Sequence, residues 1–405
     1  MARRREERDI KLDFRNKDFS NMSEKGLSDP NEQAHPLKLL ELFGGIGAPR
    51  RALELCGYNL KSIDYVEVLP YAVMAYNEMF RCAPDPQDIR IWNMAPDVVV
   101  HGSPCQDFSN EGMNDLNTGR SILFERVLQI LDPHPLTGNP ELSRMPKVVI
   151  WENVPKLLWS FKDILDYYIE VMDEFGYTSK YEILTASDYG IPQKRQRLFT
   201  VSILRSEPGT EKFSFPKKTG MKWKLKDFID KSISFNDPEV ILTEKERSIL
   251  FQLEDGTWAV KEGTKKGYKE INEWDRIDLA IPGSKNRRGR VASYASTITC
   301  SAQQAIFYNG NFRKMSAKEY MRLMGFKDVD YNKMVSAGIT TDQIKKLAGN
   351  SICVPVLEAI FKKLIEIGVL VDPTDTYAKT KKKCGVSYGQ EKDSGENKRI
   401  YLQNE

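Results

Sequence analysis

Between residues 37 and 204, short apolar runs alternate with stretches whose apolar residues recur every three or four positions. The runs at 37–43, 62–67, 97–100, 147–151, 181–184 and 198–204 read as strands. Residues 48–56 read as a helix with Gly57 as its stop, and residues 70–81 as a second helix. Phe161, Ile164, Leu165, Tyr168, Ile169, Met172 and Phe175 fall at helical spacing, and Gly176 closes that segment. Alternation of this kind predicts an α/β fold: a mostly parallel sheet covered by helices.

The pattern changes after Leu204. Residues 205–312 carry scattered Lys, Gly and aromatic residues, and the helical period weakens, which predicts a separate, irregular module. Order returns at Ser316, where Ser316 and Glu319 make an S-x-x-E capping box ahead of Tyr320, Leu323 and Met324. A last helix follows Pro355, with Val356, Leu357, Ile360, Phe361, Leu364 and Ile365 on one face. Residues 1–36 and 372–405 are polar and aperiodic, and are expected to be an arm and a flexible tail.

Composition narrows the function classes. Lys plus Arg is 60 and Asp plus Glu 57, a net charge of +3, so bulk charge does not make this a polycation that wraps nucleic acid, although a local basic face is open to it. No apolar run approaches the ~18 residues of a membrane span. The basic start MARRREER is followed by no apolar segment, so no secretory leader is expected. Cysteines at 56, 82, 105, 300, 353 and 384 form no CxxC pair, and His is only 3. Neither a disulfide framework nor a structural zinc site is expected, and the compartment reads as reducing, hence cytoplasmic.

In an open parallel sheet, ligands bind beyond the carboxyl ends of the strands, and the unusual residues of this chain fall there. The first strand ends in Phe43-Gly44-Gly45-Ile46-Gly47, where glycine lets the backbone turn tightly and approach a ligand. Glu67 stands 22 residues after Gly45, a spacing at which an acid can accept both hydroxyls of a ribose, and Asp88 can receive an adenine amino group. A tight turn with two surface acids reads equally well. Arg50 breaks the G-x-G-x-x-G pattern, which argues against a dinucleotide, and so against a nicotinamide oxidoreductase, and leaves room for an adenosine ligand without pyrophosphate.

Cys105 follows Pro104 in a turn. A buried structural thiol is the commoner case for one cysteine, but a loop position among Gln106, Asp107 and Ser109 favours a reactive one. The other five cysteines lie in apolar or tail contexts and read as structural. Glu152, in Glu152-Asn153-Val154-Pro155, ends the next strand on the same sheet edge; an N-capping acid is the plain alternative. Arg195 and Arg197 are spaced by two and would face one side of an extended segment, or merely form a solvated basic lead-in to a strand. Lys285, Arg287, Arg288 and Arg290 form a basic stretch that reads as a phosphate anchor or as a solvated loop.

The order of these segments resembles the cytosine-C5 DNA methyltransferase family. Residues 42–47 resemble its cofactor loop, Pro104-Cys105-Gln106 its nucleophile motif, Glu152-Asn153-Val154 its E-N-V motif, and Gln193-x-Arg195-x-Arg197 its Q-x-R-x-R motif. Residues 313–326 resemble the penultimate motif and Gly349-Asn350-Ser351-Ile352 the final one, so the likeness spans residues 37–371. It implies a Rossmann-like S-adenosylmethionine-dependent methyltransferase sheet at 37–204, a smaller irregular target-recognition domain at 205–349, and a helix at 350–371 returning to the first domain. Phe43, Gly45, Gly47, Glu67, Val68, Asp88, Ile89, Pro104, Asn350 and Ser351 would hold the cofactor. Cys105, Glu152, Arg195 and Arg197 would perform the chemistry. Gln106, Ser109, Lys285, Arg287, Arg288, Arg290, Thr297 and Thr299 would meet double-stranded DNA. Val68 departs from the pattern, because an aromatic residue is frequent there, and so does Ser103, where many members are bulkier. No metal is implied.

A monomeric bacterial or phage modification enzyme, paired with a restriction endonuclease, would suit this architecture. One branch of the family methylates transfer RNA, but its Cys-Phe-Thr segment is absent here. A catalytically silent DNA-binding regulator should have lost a catalytic group, yet Cys105, Glu152 and Arg197 remain.

Overall fold

The computed structural model describes residues 37–373 apart from 59, 61, 83, 90–95, 104–122, 133–144, 221–222 and 302. The arm, nearly all of the tail and the segment carrying Pro104, Cys105, Gln106 and Ser109 therefore lie outside the described residues. The first part of the chain runs β1 (Lys38–Leu42), α1 (Ala48–Leu55), β2 (Ser62–Val66), α2 (Pro70–Phe80), β3 (Val98–His101), α3 (Leu123–Leu131), β4 (Val148–Asn153), α4 (Lys156–Ser160), α5 (Lys162–Glu174), β5 (Tyr177–Thr185), β6 (Gln193–Lys194) and β7 (Gln196–Leu204).

A six-stranded sheet has the order β2-β1-β3-β4-β7-β5. Its β1, β2, β3 and β4 pair in parallel, as the alternating pattern predicts. At the other edge β7 runs antiparallel to both β4 and β5. The connection between β5 and β7 carries no crossover helix, and a parallel return would need one or its equivalent in length. The start of β7 consequently lies beside the end of β4, with Asn153 opposite Leu198 and Glu152 opposite Phe199.

Period-two alternation decides what each face of the sheet buries. Leu39, Val98, Val100, Val148 and Ile150 share one core with Ala52 and Leu53 of α1. Leu40, Leu42, Val99, Val149 and Trp151 face the other way, onto Phe124, Val127 and Leu128 of α3 and Leu165, Tyr168 and Met172 of α5. Strands covered on both faces need the continuous apolar run seen at Val98–Val100.

The rest of the chain holds α6 (Glu244–Arg247), β8 (Leu250–Gln252), β9 (Trp258–Lys261), β10 (Tyr268–Glu270), β11 (Arg276–Asp278), β12 (Val291–Ala292), β13 (Ala295–Ser296), β14 (Gln304–Tyr308), β15 (Asn311–Lys314), α7 (Ala317–Leu323), α8 (Asp328–Ser336), α9 (Thr341–Asn350) and α10 (Val354–Glu366). The stretch expected to be irregular contains two small sheets, β10-β9-β8 and β12-β11-β14-β15, around a core of Leu242, Ile249, Val260, Ile271, Ile277, Ala305 and Phe312. Its strands are too short for alternation to register in the sequence. The Ser316–Glu319 capping box forms, with Glu319 N–H donating to Ser316 Oγ and Ser316 N–H to Glu319 Oε2. Packing of α10 against α1 closes the first core.

Within the sheet, His101 is fully buried, 3.3 Å from Tyr168 Oη by Nε2, and its Nδ1 has no hydrogen-bond partner among the described residues. Burial pushes its pKa down to about 3. A pKa depressed on folding makes stability full above the ordinary histidine range and lost as pH falls. Unfolding free energy should therefore drop by about 2 kcal/mol between pH 6.5 and pH 5 on this account. Urea titrations at the two pH values check it: His101→Gln should flatten the slope, and an identical slope in that variant would refute the assignment.

Candidate active site

At the end of β1 the chain turns sharply. Phe43, Gly45 and Gly47 take φ of 57°, 53° and 70°, in the left-handed region that glycine enters freely and phenylalanine does not. Gly44 is required for another reason: a Cβ there would sit 2.5 Å from the Tyr65 ring. The loop is held from β2 and the residue after it. Glu67 Oε2 accepts from Gly45 N–H at 3.1 Å, and Oε1 accepts from the N–H groups of Val68 and Leu69. Tyr65 Oη donates to Gly45 O at 2.7 Å. The Glu67 carbonyl accepts from Gln87 N–H at 2.8 Å, which brings Asp88 to the same neighbourhood. Val68 beside it is 61% exposed. Next to Asp88 in the chain, the Ile89 side chain is buried in the core with Leu42 and Val66, and Arg126 Nε donates to its carbonyl.

A second cluster gathers at the ends of β3 and β4. Trp151 Nε1 donates to Ser103 Oγ at 2.9 Å inside the core, which fixes the backbone two residues before Cys105. That contact gives Ser103, a departure from the family pattern, a positive use. Glu152 Oε1 lies 3.1 Å from Arg197 Nε. The pair is close but not aligned as a hydrogen bond, and Glu152 Oε1, buried, accepts none among the described residues. Arg197 spends one other donor on its neighbour's carbonyl, Nη1 to Gln196 O at 2.8 Å. A Cβ added at Gly102 would stand 3.6 Å from Glu152 Oε2, so the strand leading to Cys105 passes directly beside this carboxylate. The antiparallel run of β7 produces the pairing, since it starts Arg197 where β4 ends.

Arg195 does not join Arg197. It is buried in the break between β6 and β7, and its guanidinium donates to Ile298 O, Gly349 O and Ser351 O at 2.8, 3.1 and 2.7 Å. Simple alternation fails because the ladder is interrupted at this residue. Removing a charged donor from three buried carbonyls would cost more than a surface charge is worth, so Arg195 fastens the segment around Asn350 to the sheet. Ser351 is buried and Asn350 exposed at the end of α9. A Cβ at Gly349 would lie 2.6 Å from the Thr299 backbone, which explains the glycine in Gly349-Asn350-Ser351. Cys300 also departs from expectation: it is exposed, and its Sγ lies 3.0 Å from Asn350 Oδ1.

The basic stretch divides. Arg290 is fully buried and holds the carbonyls of Asp278, Ala280 and Ile281, so it offers nothing to a phosphate. Arg287 is paired with Asp278. Lys285 and Arg288 are exposed, although Arg288 Nε donates to Gly263 O. Thr297 Oγ1 donates to Lys194 O, and Thr299 meets Ser301. Sequence reading missed Tyr65 and Trp151 as supports; Tyr65 stands two positions before Glu67, and period-two spacing alone aims both at one side.

Comparison with known proteins fits this arrangement. The family described as C-5 cytosine-specific DNA methylase matches residues 37–366. The chain is 28% identical over 278 residues to the type II methyltransferase M2.ScrFI of Lactococcus lactis subsp. cremoris, covering 67% of each chain. It is 28% identical over 345 residues to the type II methyltransferase M.HhaI of Haemophilus parahaemolyticus, covering 82% of this chain and 94% of that one. Among solved structures, the Entamoeba histolytica methyltransferase EhMeth shares the fold with a TM-score of 0.58 at 18% identity, over 82% of this chain and 99% of the other. The glycine loop, the carboxylate beside the strand that leads to Cys105, and the terminal Gly349-Asn350-Ser351 all fall inside the matched span, and the chain belongs to the C-5 cytosine-specific DNA methylase family.

Proposed function

We propose that the protein methylates carbon 5 of a cytosine flipped out of a specific sequence in duplex DNA, with residues 205–349 recognising that sequence. The observation that carries this reading is the Glu152–Arg197 pair, 3.1 Å apart beside the strand that leads to Cys105, with a buried carboxylate oxygen that accepts no hydrogen bond among the described residues. Carbon 5 of cytosine is a poor nucleophile. Addition of the Cys105 thiolate to carbon 6 gives the ring enamine character and loads electron density onto carbon 5. Glu152 contacts N3 and the exocyclic amine and stabilises the proton gained at N3. Arg197 stabilises charge at the carbonyl oxygen. Carbon 5 then takes the methyl group in a new carbon–carbon bond, and loss of the carbon-5 proton with departure of Cys105 Sγ restores the aromatic ring. The target carbon is shielded inside a duplex, so the base must leave the stack at a cost of a few kcal/mol.

The methyl donor of this reading is S-adenosylmethionine, which supplies an electrophilic methyl group when bound. The residues present suit it. Gly45 adjoins open space, with nothing within 4 Å of a built Cβ, and the exposed Val68 flanks it. Phe43, Gly47, Glu67 and Asp88 surround the adenosine side, and Asn350 and Ser351 close it from the chain's far end. Lys285 and Arg288 are the phosphate contacts that remain after the internal pairings. Relatives named as type II methyltransferases support a modification role. On this reading the protein acts as a monomer alongside an endonuclease, in the cytoplasm of a bacterial or phage-infected cell.

Incubation with duplex DNA and S-adenosylmethionine, followed by bisulfite sequencing, tests the reading. Protected cytosines should appear at one recurring sequence. Methyl incorporation into transfer RNA and none into any duplex would replace DNA with RNA as the substrate; protection nowhere would sink the proposal.

A further inference from the structure

Two side chains grip the same residue of the cofactor loop, one at its N–H and one at its carbonyl. Glu67 takes the Gly45 N–H at 3.1 Å, and Tyr65 gives its hydroxyl proton to the Gly45 carbonyl at 2.7 Å. Tyr65 and Glu67 are two apart, so alternation aims both toward the turn above β1. Each alone would leave Gly45 free to pivot about the single bond it makes. Together they fix both ends of one residue whose φ of 53° already lies in the left-handed region.

The tyrosine ring is itself located. It stands where a Gly44 side chain would be, with its Cε2 only 2.5 Å from the position of a Cβ, so the loop is draped over the ring. On its other side it stacks on Tyr76, with centroids 3.9 Å apart and planes at 29°. Tyr76 Oη donates to Glu41 Oε2 at 2.7 Å, and Glu41 Oε1 accepts from Arg50 N–H at the start of α1. Glu41 is fully buried and lies directly across from Tyr65 in the β1–β2 register. Two hydrogen-bonded links, Arg50–Glu41–Tyr76 and Tyr65–Gly45, are thus joined through the stack of the two tyrosine rings, which ties the first turn of α1 to Gly45. Buried networks of this kind cost stability when half-made and confer rigidity when complete.

We infer that Tyr65 is a positioning residue for the methyl donor: it presets the Gly45 peptide in the ligand-ready geometry, and so sets affinity for the adenosine-bearing ligand rather than the rate of the chemical step. The inference rests on the reading of the loop as an S-adenosylmethionine site. A loop held in the bound geometry before binding loses less freedom on binding, and the gain appears in the dissociation constant. Nothing links Tyr65 to Glu152 or Arg197 by a described contact, so the chemical step should be spared.

The test is Tyr65→Phe, which deletes one hydroxyl and keeps the ring, its stack and the steric floor under Gly44. Calorimetry with S-adenosylhomocysteine should show a dissociation constant raised about five- to tenfold, the value of one hydrogen bond. The KM for S-adenosylmethionine should rise in step, while kcat at saturating donor stays within about twofold and the KM for DNA is unchanged. Gly44→Ala is the second variant. Its methyl displaces the ring and with it the hydroxyl, and should give the same split between KM and kcat; the double variant should be scarcely weaker in binding than the weaker of the two single variants, because both act on one contact. A Tyr65→Phe protein with wild-type affinity and a lowered melting temperature would make the residue structural only, and overturn the inference. Equal losses in kcat and in affinity would overturn it too. Wild-type protein that binds neither donor nor product would instead sink the reading of the site, a failure visible before any variant is made.

Discussion

Replacing Cys105 with serine is expected to lower methyl transfer about a thousandfold or more, the scale on which removing a covalent nucleophile acts. A serine hydroxyl at neutral pH is far less ionised than a thiol, and no general base is expected to deprotonate it. The loss should be confined to kcat. The loop that carries Gly45 is built from β1 and β2 and is held by Tyr65 and Glu67, none of which depends on the sulfur. Product affinity should therefore match wild type within about twofold. A duplex carrying 5-fluorocytosine gives the positive counterpart. With fluorine at carbon 5 the final elimination is blocked, so wild type should form an adduct that survives denaturing electrophoresis and Cys105→Ser should form none. Retained turnover in the serine variant, or an adduct in it, would remove Cys105 from the chemistry and with it the covalent route.

Glu319→Ala should destabilise the fold by about 3–5 kcal/mol, as expected when one member of a buried ion pair is removed. Glu319 and Arg313 are both fully buried. Their fork is bidentate: Arg313 Nη2 donates to Oε1 at 2.5 Å and Nη1 to Oε2 at 2.9 Å. The same carboxylate accepts from the N–H groups of Asp230 and Ser316. The alanine variant would strand a guanidinium that also donates to Asp230 O and Lys314 O, and two backbone amides besides. By contrast, the exposed pair Lys162–Asp166 should contribute little, because solvent screens it. Urea midpoints of Glu319→Ala and Lys162→Ala, compared at one pH, check the difference. Similar shifts in both would mean that the buried fork does not hold the α7 region together. The result would also explain why residues 313–326 carry a family motif without lying in the proposed catalytic cluster.

Much of the sheet was legible because its physics is local. Residues 97–100 read as a strand because three valines in succession suit a position covered on both faces, and Phe161 to Phe175 read as a helix because Leu165, Tyr168 and Met172 recur on the buried side. Strand direction is not local: nothing in residues 198–204 says that they run against 148–153. That one reversal sets Glu152 against Arg197. The arginines were the least legible. Arg195, Arg197, Arg287 and Arg290 look alike in a sequence, but two are buried against carbonyls, one is paired with Asp278 and one with Glu152. A guanidinium carries five donors, so it serves as readily to tie backbone together as to meet a ligand. Which it does depends on carbonyls supplied by segments 9 to 156 residues away. The final Gly349-Asn350-Ser351 was readable as a motif, while the need for its glycine became clear only from the Thr299 backbone pressed against it.

The packing of α10 on α1 has a consequence for biosynthesis. The ribosome completes α1 roughly 300 residues before it completes α10, which at about 5–20 residues per second is a delay of tens of seconds. Throughout that interval the surface of α1 that α10 covers, beside Cys56, stays open in the nascent chain. Such a chain is a natural client for a holdase, and a message cut short before Val354 would yield clumping product rather than a smaller working enzyme.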